Sequence, residues 1–378
     1  MNVDACTVCI TLGTRPEAIK LAPIIQQCQR SSRLKTSVIL TGQHREMVAQ
    51  VMNLFHLEAD YDLQIMQAEQ TLSDITCRSL KGLENLFTEI QPHLVIVQGD
   101  TTTAFAATLA AFYQQIPIAH VEAGLRSHDL YNPYPEEANR RLIGQLAQLN
   151  FAPTAAAVKN LENSGVIGEI HLTGNTVIDA LLTMAQRHPP CYLPGLSWDQ
   201  YRVLLTTVHR RENWGQPLTQ ILEGLQLILD KFPDTALLLP LHRNPTVRQP
   251  IQAALGHHPR VFLTEPLDYA QLVGAMQRCY LLLTDSGGLQ EEAPSLGKPV
   301  LVLRDNTERT EAVTAGTAQL VGTNPQHIFQ SASELLTQPQ LYQRMAMAIN
   351  PFGDGQASQR IVSIIERYLD LTSHEKRF

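Results

Sequence analysis

The sequence has no long run of apolar residues, and this absence limits where the protein can work. No stretch approaches the roughly 20 apolar residues that a membrane-spanning helix needs. The apolar run nearest the N-terminus is short and ends at Gly13, with no basic region before it and no cleavage site after it. We therefore expect a cytoplasmic protein without a signal peptide and without a membrane partner.

Clustered basic residues are also missing. The 378 residues include 29 Lys and Arg against 36 Asp and Glu, which gives a net charge of −7. Nucleic-acid-binding proteins gather positive charge into a run or patch, so no nucleic-acid partner is expected. An anionic ligand would have to be met by a few well-placed cations and backbone amides.

Cysteine is scarce, with six residues at positions 6, 9, 28, 77, 191 and 279. Cys6 and Cys9 have C-x-x-C spacing, but they lie in an apolar run typical of a buried strand, where cysteine behaves as a small hydrophobic residue. No second Cys or His pair follows at metal-ligand spacing, so we expect no metal site. Scattered thiols are typical of a reducing compartment.

What the sequence does contain is an alternation of short apolar runs and longer segments of helical period. The first half predicts strands at 6–12, 37–41, 94–98, 116–121, 149–153 and 169–173, with helices near 17–30, 45–56, 71–90, 102–114, 135–148, 154–164 and 175–187. The second half predicts strands at 202–207, 235–240, 261–263, 280–284, 300–303 and 318–321, and a final helix near 357–370. Strands with consecutive apolar residues predict parallel sheets that helices cover on both faces.

A segment rich in proline separates the two halves. Residues 187–197 contain three prolines and a glycine, which indicates a linker. We predict two Rossmann-like, doubly wound α/β domains, at 1–187 and 199–356, joined by a linker at 188–198 and followed by a C-terminal segment at 357–378. Doubly wound sheets bind ligands beyond the carboxyl ends of their strands, so the residues that follow each strand are the candidates for a site.

The first candidate turn follows the first strand and reads Gly13-Thr-Arg-Pro-Glu-Ala-Ile-Lys20. Gly13 permits a tight turn, and Pro16 suits the first turn of a helix. The free amides of a helix N-terminus attract phosphate, and Arg15 and Lys20 would add positive charge. The alternative is an ordinary capped helix with a solvated Arg and Lys.

A second turn of this kind lies in the second half, at Thr284-Asp-Ser-Gly-Gly-Leu-Gln-Glu-Glu292. The amides of Gly287 and Gly288 at a helix start could cradle a diphosphate. A carboxylate one helical turn later, Glu291 or Glu292, could accept hydrogen bonds from ribose hydroxyls. A plain strand-to-helix turn is the alternative at this position.

Three carboxylates follow strands that should lie side by side in the first sheet: Asp100, Glu122 and Glu136. Asp100 could instead cap the following helix, and Glu136 could be a first-turn acid that interacts with the helix dipole. An unpaired carboxylate at Glu122 would be costly, because its surroundings in the sequence are apolar. Carboxylates clustered in a cleft raise one another's pKa, which suits proton transfer near neutral pH.

The second half places histidines and arginines after its strands. His209 precedes Arg210, Arg211 and Glu212, and His242 precedes Arg243. Such groups could neutralise the charge on a departing diphosphate. A lone His is more often structural, which is the alternative for His242.

Taken in order, these motifs resemble the bacterial non-hydrolysing UDP-N-acetylglucosamine (UDP-GlcNAc) 2-epimerases. The first-half motifs with this resemblance are Gly13 to Lys20, Thr41-Gly-Gln-His-Arg-Glu-Met47, Gly99-Asp-Thr-Thr-Thr103, His120-Val-Glu-Ala-Gly-Leu-Arg126, Pro135-Glu-Glu-Ala-Asn-Arg140 and Thr173-Gly-Asn-Thr-Val-Ile-Asp179. The second-half motifs are His209-Arg-Arg-Glu212, the run Asp285 to Pro299, and Glu308-Arg-Thr-Glu-Ala-Val-Thr-Ala-Gly316. The resemblance covers nearly the whole chain.

The resemblance implies a fold like that of GT-B glycosyltransferases, with the active site in the interdomain cleft and the C-terminal helix packed back toward the first domain. It implies interconversion of UDP-GlcNAc and UDP-N-acetylmannosamine (UDP-ManNAc) by elimination and re-addition of UDP through a 2-acetamidoglucal. No NAD or metal is needed. The product would supply cell-surface polysaccharide, and the family suggests a homodimer.

The resemblance also assigns roles by position. Asp100, Glu122 and Glu136 would act at C2, and His209 would help UDP to leave. Phosphate would be held by Arg15, Lys20 and Arg309, the diphosphate by Ser286, Gly287 and Gly288, the ribose by Glu292, and uracil by the segment from Leu267 to Leu272. Which acid works on which face of C2 stays open.

Two positions depart from the family pattern. Val208 stands where many relatives have Gly. In some relatives a second UDP-GlcNAc activates the enzyme, and Gln43, His44 and His242 match residues associated with it. Glu69 stands where such relatives can carry Arg, and a carboxylate there would repel a phosphate.

Three other functions compete with this prediction. A glycosyltransferase of the same fold would need an acceptor, and a hydrolysing epimerase would release free ManNAc. A non-catalytic nucleotide-sugar sensor should lack one or more of Asp100, Glu122, Glu136 and His209, and all four are present.

Overall fold

The computed structural model describes residues 5–67 and 69–375 of the chain. Its strands are β1 (Cys6–Leu12), β2 (Leu34–Leu40), β3 (Tyr61–Asp62), β4 (Leu94–Gln98), β5 (Ile118–Val121), β6 (Leu149–Ala152), β7 (Glu169–Leu172), β8 (Arg202–Thr207), β9 (Thr235–Pro240), β10 (Val261–Thr264), β11 (Leu281–Thr284), β12 (Val300–Val302) and β13 (Ala318–Leu320). All of these strands pair in parallel.

The helices fill the intervals between the strands. They are α1 (Arg15–Arg30), α2 (Arg45–Leu54), α3 (Leu72–Ile90), α4 (Thr102–Tyr113), α5 (Glu136–Leu146), α6 (Ala155–Asn163), α7 (Thr176–Ala185), α8 (Gln216–Lys231), α9 (Pro245–Leu255), α10 (Tyr269–Arg278), α11 (Gly287–Glu292), α12 (Thr310–Thr314), α13 (Pro325–Thr337), α14 (Pro339–Ala346) and α15 (Ala357–Glu375). None of them, over the residues described, combines the length and apolar character needed to cross a bilayer.

The chain divides into two compact units. The first holds the described residues up to Ala180 and those from Phe352 onward, and the second is Leu181–Pro351. The division falls inside α7, and the Pro-rich segment 188–198 lies in the second unit without helix or strand.

The sheet of the first unit has the order β3-β2-β1-β4-β5-β6-β7, and that of the second has the order β10-β9-β8-β11-β12-β13. Strand order therefore reverses between β1 and β4 in one sheet and between β8 and β11 in the other. Ligands of doubly wound sheets bind beyond the carboxyl ends of the strands at such a reversal. The turns after β1, β4, β8 and β11 are accordingly the positions of interest.

The inner strands of both sheets, such as β4 and β11, are buried because helices pack against the sheets. Val95, Val97 and Cys9 pack with Leu83 and Phe87 of α3 and with the alanines of α4 in the first unit. Leu204, Leu237 and Leu283 pack with leucines and isoleucines of α8 and α13 in the second unit. Two separate cores thus hold two sheets rigid enough to fix the turns at their edges.

The last helix belongs to the first unit. The buried carboxylate of Asp179 accepts hydrogen bonds from the amides of Ala357 (3.2 Å) and Ser358 (2.7 Å) and from the Ser358 hydroxyl (2.6 Å). A carboxylate at a helix N-terminus satisfies amides that have no partner within the helix. Asp179 therefore fixes the start of α15, which then packs along α1.

Candidate active-site residues in the two units

The turn after β1 requires glycine because it is pressed against its neighbours. A Cβ atom on Gly13 would lie 2.3 Å from Thr41 Oγ1 and 2.7 Å from Thr103 Oγ1. The His44 amide also donates to the Gly13 carbonyl at 2.8 Å. Thr103 stands at the start of α4, so this turn is held against the turn that follows β4.

Glu17 is the buried group that ties these two turns together. Its carboxylate accepts from the amides of Gly13 (3.0 Å) and Thr14 (2.7 Å), from the Thr14 hydroxyl (2.8 Å) and from the Thr101 hydroxyl (2.6 Å). Burial raises the pKa of Glu17, although these four hydrogen bonds oppose the shift. The Gly13 and Thr14 amides, which lie at the helix start predicted to bind phosphate, thus already donate hydrogen bonds to Glu17.

The two cations of this turn are placed differently. Lys20 donates to both carboxylate oxygens of Glu122, at 2.7 Å and 2.6 Å. Arg15 is partly exposed in the first turn of α1 and has no hydrogen bond or ion pair with the described residues. Arg15 is therefore the cation of this turn that remains available to an anion.

Glu122 lies at the end of β5 with 8% of its surface exposed and a positive φ of 62°. Besides Lys20, the Gln98 side chain donates to Oε2 and the Asn175 side chain reaches Oε1 at 3.5 Å. A partly buried ammonium and two amides can stabilise a buried carboxylate that would otherwise be costly. Gln98 and Asn175 were not predicted as site residues. Each had a signal in the sequence, because Gln98 is a polar residue at the end of a buried strand and Asn175 is a polar residue just before a helix.

Asp100 follows β4 and pairs with Arg140 of α5. The Arg140 Nε atom donates to Asp100 Oδ2 at 3.0 Å, Nη2 donates to the same oxygen, and the Asn139 side chain donates to the Asp100 carbonyl at 2.9 Å. Burial raises the pKa of Asp100, Arg140 opposes that shift, and the negative charge of Glu122 adds to it. Asp100 and Glu122 are therefore close enough to influence each other's ionisation.

His120 holds the turn that carries Asp100. Its Nε2 atom lies 2.7 Å from the Gly99 carbonyl, so the ring donates there from Nε2. Burial lowers the pKa of His120 to about 4. The ring therefore stays neutral at physiological pH and acts as a fixed support under the Gly99 turn.

Glu136 and Glu137 occupy different environments at the start of α5. Glu136 is partly exposed and forms no hydrogen bond or ion pair with the residues described. Glu137 is fully buried and accepts from the Ser127 amide (2.9 Å), Arg140 (3.1 Å) and Arg141 (2.8 Å). Burial by itself would raise the pKa of Glu137, but these bonds lower it. Glu137, which sequence reasoning did not single out, thus positions Arg140 for Asp100.

Gln43 and His44 lie beside the Gly13 turn. The Thr103 hydroxyl donates to Gln43 Oε1 at 3.0 Å and lies 3.2 Å from the Thr41 hydroxyl. Glu69 is exposed in the segment before α3, with a positive φ of 54°. The resemblance associates Gln43, His44 and His242 with a second substrate molecule. Gln43 and His44 belong to the first unit, and His242 belongs to the second.

In the second unit the turn after β8 is built around Asp285. The Asp285 side chain is fully buried, and Oδ2 accepts from the amides of His209 (2.9 Å) and Arg210 (2.8 Å) and from the Asn213 side chain (3.0 Å). The other oxygen, Oδ1, lies 3.0 Å from His209 Nδ1. Burial by itself would raise the pKa of Asp285, but His209 and the two amides lower it.

His242 lies next to His209. The two imidazole rings are stacked with centroids 6.1 Å apart and an interplanar angle of 23°. The Asn244 amide donates to His242 Nδ1 at 3.2 Å, so that nitrogen acts as an acceptor. His242 is exposed and forms one wall beside the His209 ring.

The Ser286-Gly287-Gly288 turn follows β11 and begins α11. A Cβ atom on Gly287 would lie 3.1 Å from Arg309 Cζ, so the guanidinium lies directly over this glycine. A Cβ atom on Gly288 would meet only Ser286 Oγ, at 3.9 Å. The structure therefore brings Arg309 to the Gly-rich turn and leaves the backbone at Gly288 open.

Carboxylates hold Arg309 in this position. Its Nε atom donates to Glu291 at 2.8 Å and Nη1 donates to Glu308 at 2.9 Å. Glu308 also accepts from Arg304 at 2.7 Å. Burial opposes ionisation of Glu308, but Arg309 and Arg304 overcome it and lower its pKa to about 2.

The remaining predicted residues of this unit have simpler surroundings. Glu292 is at the end of α11 and is 8% exposed. Leu267 and Leu272 are partly buried on either side of Asp268, which caps α10. Within the described part of the chain, no group of three or more His, Cys, Asp or Glu side chains is arranged to hold a metal ion.

Comparison with known proteins identifies the family. The family model described as UDP-N-acetylglucosamine 2-epimerase matches residues 26–366. The chain belongs to this family. The prediction that it is an isomerase of the epimerase type is thereby confirmed.

Individual relatives agree with this placement. The UDP-N-acetylglucosamine 2-epimerase of Escherichia coli K12 is 48% identical over 369 residues, which cover 95% of this chain and 98% of that protein. The solved UDP-GlcNAc 2-epimerase of Neisseria meningitidis, bound to UDP-GlcNAc, is 46% identical with a TM-score of 0.84 over 96% of this chain and 100% of that one. A solved relative from Listeria monocytogenes is 43% identical with a TM-score of 0.92 over 97% of both chains.

The fold of this epimerase-family member was also predicted correctly. Both sheets are wholly parallel, both reverse their order at the first strand, and both are covered by helices. The predicted class, two Rossmann-like doubly wound α/β domains, is confirmed.

Proposed function

We propose that the chain interconverts UDP-GlcNAc and UDP-ManNAc by inverting C2 without hydrolysis. In the forward direction a carboxylate removes the C2 proton, the C2–H electron pair forms the C1=C2 bond, and the C1–O bond breaks so that UDP leaves with its electron pair. The 2-acetamidoglucal then receives a proton at C2 on the opposite face while UDP re-forms the bond to C1. Membership of the family and the relative from N. meningitidis bound to UDP-GlcNAc support this reaction.

The observation that carries the proposal is the pair of unlike carboxyl groups in the first unit. Glu122 is in direct contact with the Lys20 ammonium, whereas Asp100 is paired with Arg140 and its pKa is nevertheless raised by burial and by the Glu122 charge. Inversion at C2 needs one group that accepts a proton and another that supplies one, and neighbouring acids in unlike environments are suited to that division. We propose that Asp100, Glu122 and Glu136 share this work, without assigning a face of C2 to any of them.

The second unit supplies groups suited to a nucleoside diphosphate. We propose that Ser286, Gly287 and Gly288 bind the diphosphate, that Arg309 neutralises phosphate charge, and that His209 assists the departure of UDP. Glu292 would bind the ribose and the segment from Leu267 to Leu272 would flank uracil. In the first unit, Arg15 is better placed than Lys20 to meet a phosphate, because Lys20 already contacts Glu122.

Further expectations remain proposals. They are the domain limits at 187 and 357 with a linker at 188–198, a homodimer, a cytoplasmic location, and use of the product in cell-surface polysaccharide. A second UDP-GlcNAc at Gln43, His44 and His242 is also a proposal. Glu69 would weaken such binding, because its carboxylate repels phosphate.

Incubation of the purified chain with UDP-GlcNAc alone, in heavy water, tests the function. We expect UDP-ManNAc to appear with deuterium at C2, and the recovered UDP-GlcNAc to carry deuterium as well, since the proton exchanges with solvent. NMR spectroscopy reads both results. Free ManNAc would indicate a hydrolysing enzyme, and an absence of both product and exchange would overturn the proposal. A Glu122→Gln variant serves as the control for background exchange.

A further inference from the structure

A buried carboxylate with no assigned role lies directly behind His209. Asp285 comes one residue after β11, and β11 is paired with β8, whose last residue Thr207 is opposite Thr284. This pairing brings Asp285 to the turn that carries His209. The Asp285 side chain is fully buried, whereas 38% of the His209 side chain is exposed. The carboxylate therefore contacts the inner side of a ring whose outer side faces solvent.

The two oxygens of Asp285 have separate partners. Oδ2 takes three donors, the amides of His209 and Arg210 and the Asn213 side chain, at 2.8–3.0 Å. Oδ1 lies 3.0 Å from His209 Nδ1 in an ion-pair contact, and it has no hydrogen-bond partner among the described residues. A carboxylate oxygen can only accept, so Nδ1 must carry the proton at this contact.

We propose that Asp285 is a positioning residue that keeps His209 protonated at Nδ1 and turns its Nε2 atom outward. This role rests on the function proposed above, in which His209 assists the departure of UDP. A histidine held in this way can become an imidazolium whose Nε2–H is directed at a phosphate oxygen. Asp285 stabilises that cation by its charge and takes no proton itself.

A purely structural role for Asp285 makes a different prediction. If its only task is to fold the turn around Oδ2, then an acceptor oxygen at that position should suffice. Asp285→Asn separates the two roles, because the three donors fix the amide oxygen in place of Oδ2. The amide nitrogen then replaces Oδ1 and donates to His209 Nδ1, which must lose its proton and leave it on Nε2. The turn is kept while the histidine is held in the wrong tautomer.

We expect Asp285→Asn to lower kcat by about 10²–10⁴-fold, with little change in UDP affinity. The matched control is Asp179→Asn, which alters another buried aspartate that accepts backbone amides, at the start of α15 and away from His209. That control should lose stability and retain kcat. The double variant Asp285→Asn with His209→Gln should be no slower than His209→Gln alone, because both changes act through one ring.

Histidine-selective ¹⁵N NMR shows which ring nitrogen of His209 carries the proton. A purely structural role of Asp285 would not change that tautomer. The His209→Gln spectrum identifies the His209 signals. We expect protonation at Nδ1 in the unaltered protein and at Nε2 in Asp285→Asn. Finding Nδ1 unprotonated in the unaltered protein would overturn the proposal even if the variant did not fold.

The kinetic outcomes separate this proposal from the function on which it rests. Full turnover in Asp285→Asn, with turnover lost in His209→Gln, would overturn the role of Asp285 and leave the epimerase function standing. If the unaltered protein made no UDP-ManNAc, the function would fail, and the tautomer measured by NMR would still support or overturn the positioning of His209.

Discussion

The two sheets share the strand order 3-2-1-4-5-6, counted along the chain within each unit, and the first sheet has one further strand at its end. In each unit a buried carboxylate joins the turns after the first and fourth strands counted along the chain. In the first unit Glu17 connects the Gly13 turn after β1 with Thr101 after β4. In the second unit Asp285, after β11, connects back to the His209 turn after β8. In each sheet the strand order places the two turns side by side, and their backbone amides point inward. A buried carboxylate satisfies these amides by accepting their hydrogen bonds.

The difference lies in the partners of the two carboxylates. Among the residues that the structure describes, the donors to Glu17 are backbone amides and hydroxyls, which do not titrate, and burial raises the pKa of Glu17. Asp285 also faces His209, which is exposed on its other side, and its pKa is lowered. A buried carboxylate therefore indicates a structural role when all of its donors are fixed. It indicates a functional role when one partner can titrate and reach solvent.

The charges around these turns are also reversed between the units. The first unit presents the carboxyl groups of Glu122 and Asp100, which are paired with Lys20 and Arg140 respectively. The second presents Arg304 and Arg309, each held by two carboxylates. The same scaffold thus carries groups suited to proton transfer in one unit and groups suited to phosphate in the other.

Replacement of Asp100 should break this comparison most severely. Asp100→Asn removes the carboxylate that we propose for proton transfer but keeps a side-chain oxygen that can accept from Arg140. We expect kcat to fall by about 10²–10⁴-fold while UDP affinity stays nearly constant, because Asp100 is not among the groups proposed to bind the nucleotide, most of which lie in the second unit. Steady-state kinetics and calorimetry with UDP measure the two quantities. Asp230→Asn, an exposed change on α8, is the control, and unchanged turnover in Asp100→Asn would refute the role of the acid.

Replacement of Glu17 should sharpen the contrast with Asp285. Glu17→Gln keeps one oxygen for the Gly13 and Thr14 amides, and the Thr101 hydroxyl can rotate to accept from the new amide. We expect the free energy of unfolding of the first unit to fall by about 1–2 kcal/mol, with only a small loss of kcat. Denaturant unfolding and hydrogen exchange in α1 give the stability. A loss of kcat as large as that expected for Asp285→Asn, with stability unchanged, would show that the distinction between the two carboxylates is wrong.

The fold was predictable from sequence because parallel strands are marked by their apolar runs. The predicted strands 6–12, 94–98, 202–207 and 235–240 coincide with β1, β4, β8 and β9, and the others differ by one residue or a few at either end. The strand β3 was missed, because a two-residue edge strand, Tyr61–Asp62, contains no apolar run. α1 begins at Arg15 rather than near 17, because Thr14 and Pro16 start the helix earlier.

The sequence located the candidate site residues after their strands, but it could not predict the contacts between them. Motifs placed Lys20 and Glu122 after their strands, but these residues are 102 positions apart and meet only because β1, β4 and β5 are neighbours in the sheet. Glu17 had a visible signal, the Thr-x-x-Glu spacing of a capping box. Asp285 had no signal in the sequence beyond its position after a strand. Its partner His209 lies 76 residues away along the chain, and only the pairing of β8 with β11 brings the two together.

Replacement of Glu308 should have the smallest effect of these changes. Its dependence on pH tests whether the ionised Glu308 carboxylate stabilises the second unit. The lowered pKa of Glu308 means that its ionised form stabilises the folded second unit. This stabilisation is fully present above the ordinary glutamate pKa of 4.5 and is lost as pH falls through about 2. Because the side chain is 41% exposed, solvent screening reduces the effect, and we expect Glu308→Gln to cost about 0.5–1 kcal/mol at pH 7.

The measurement can be restricted to the correct unit, because both tryptophans, Trp198 and Trp214, lie in Leu181–Pro351. Urea unfolding followed by tryptophan fluorescence should show the variant less stable at pH 7 and closer to the unaltered protein at pH 3, where Glu308 begins to lose its charge advantage. Glu265→Gln is the matched control, since Glu265 pairs with Arg248 on the open surface, where ion pairs contribute little. A deficit in Glu308→Gln that grew as pH fell would reverse the sign of the argument. It would mean that Arg304 and Arg309 are held without help from the charge of Glu308.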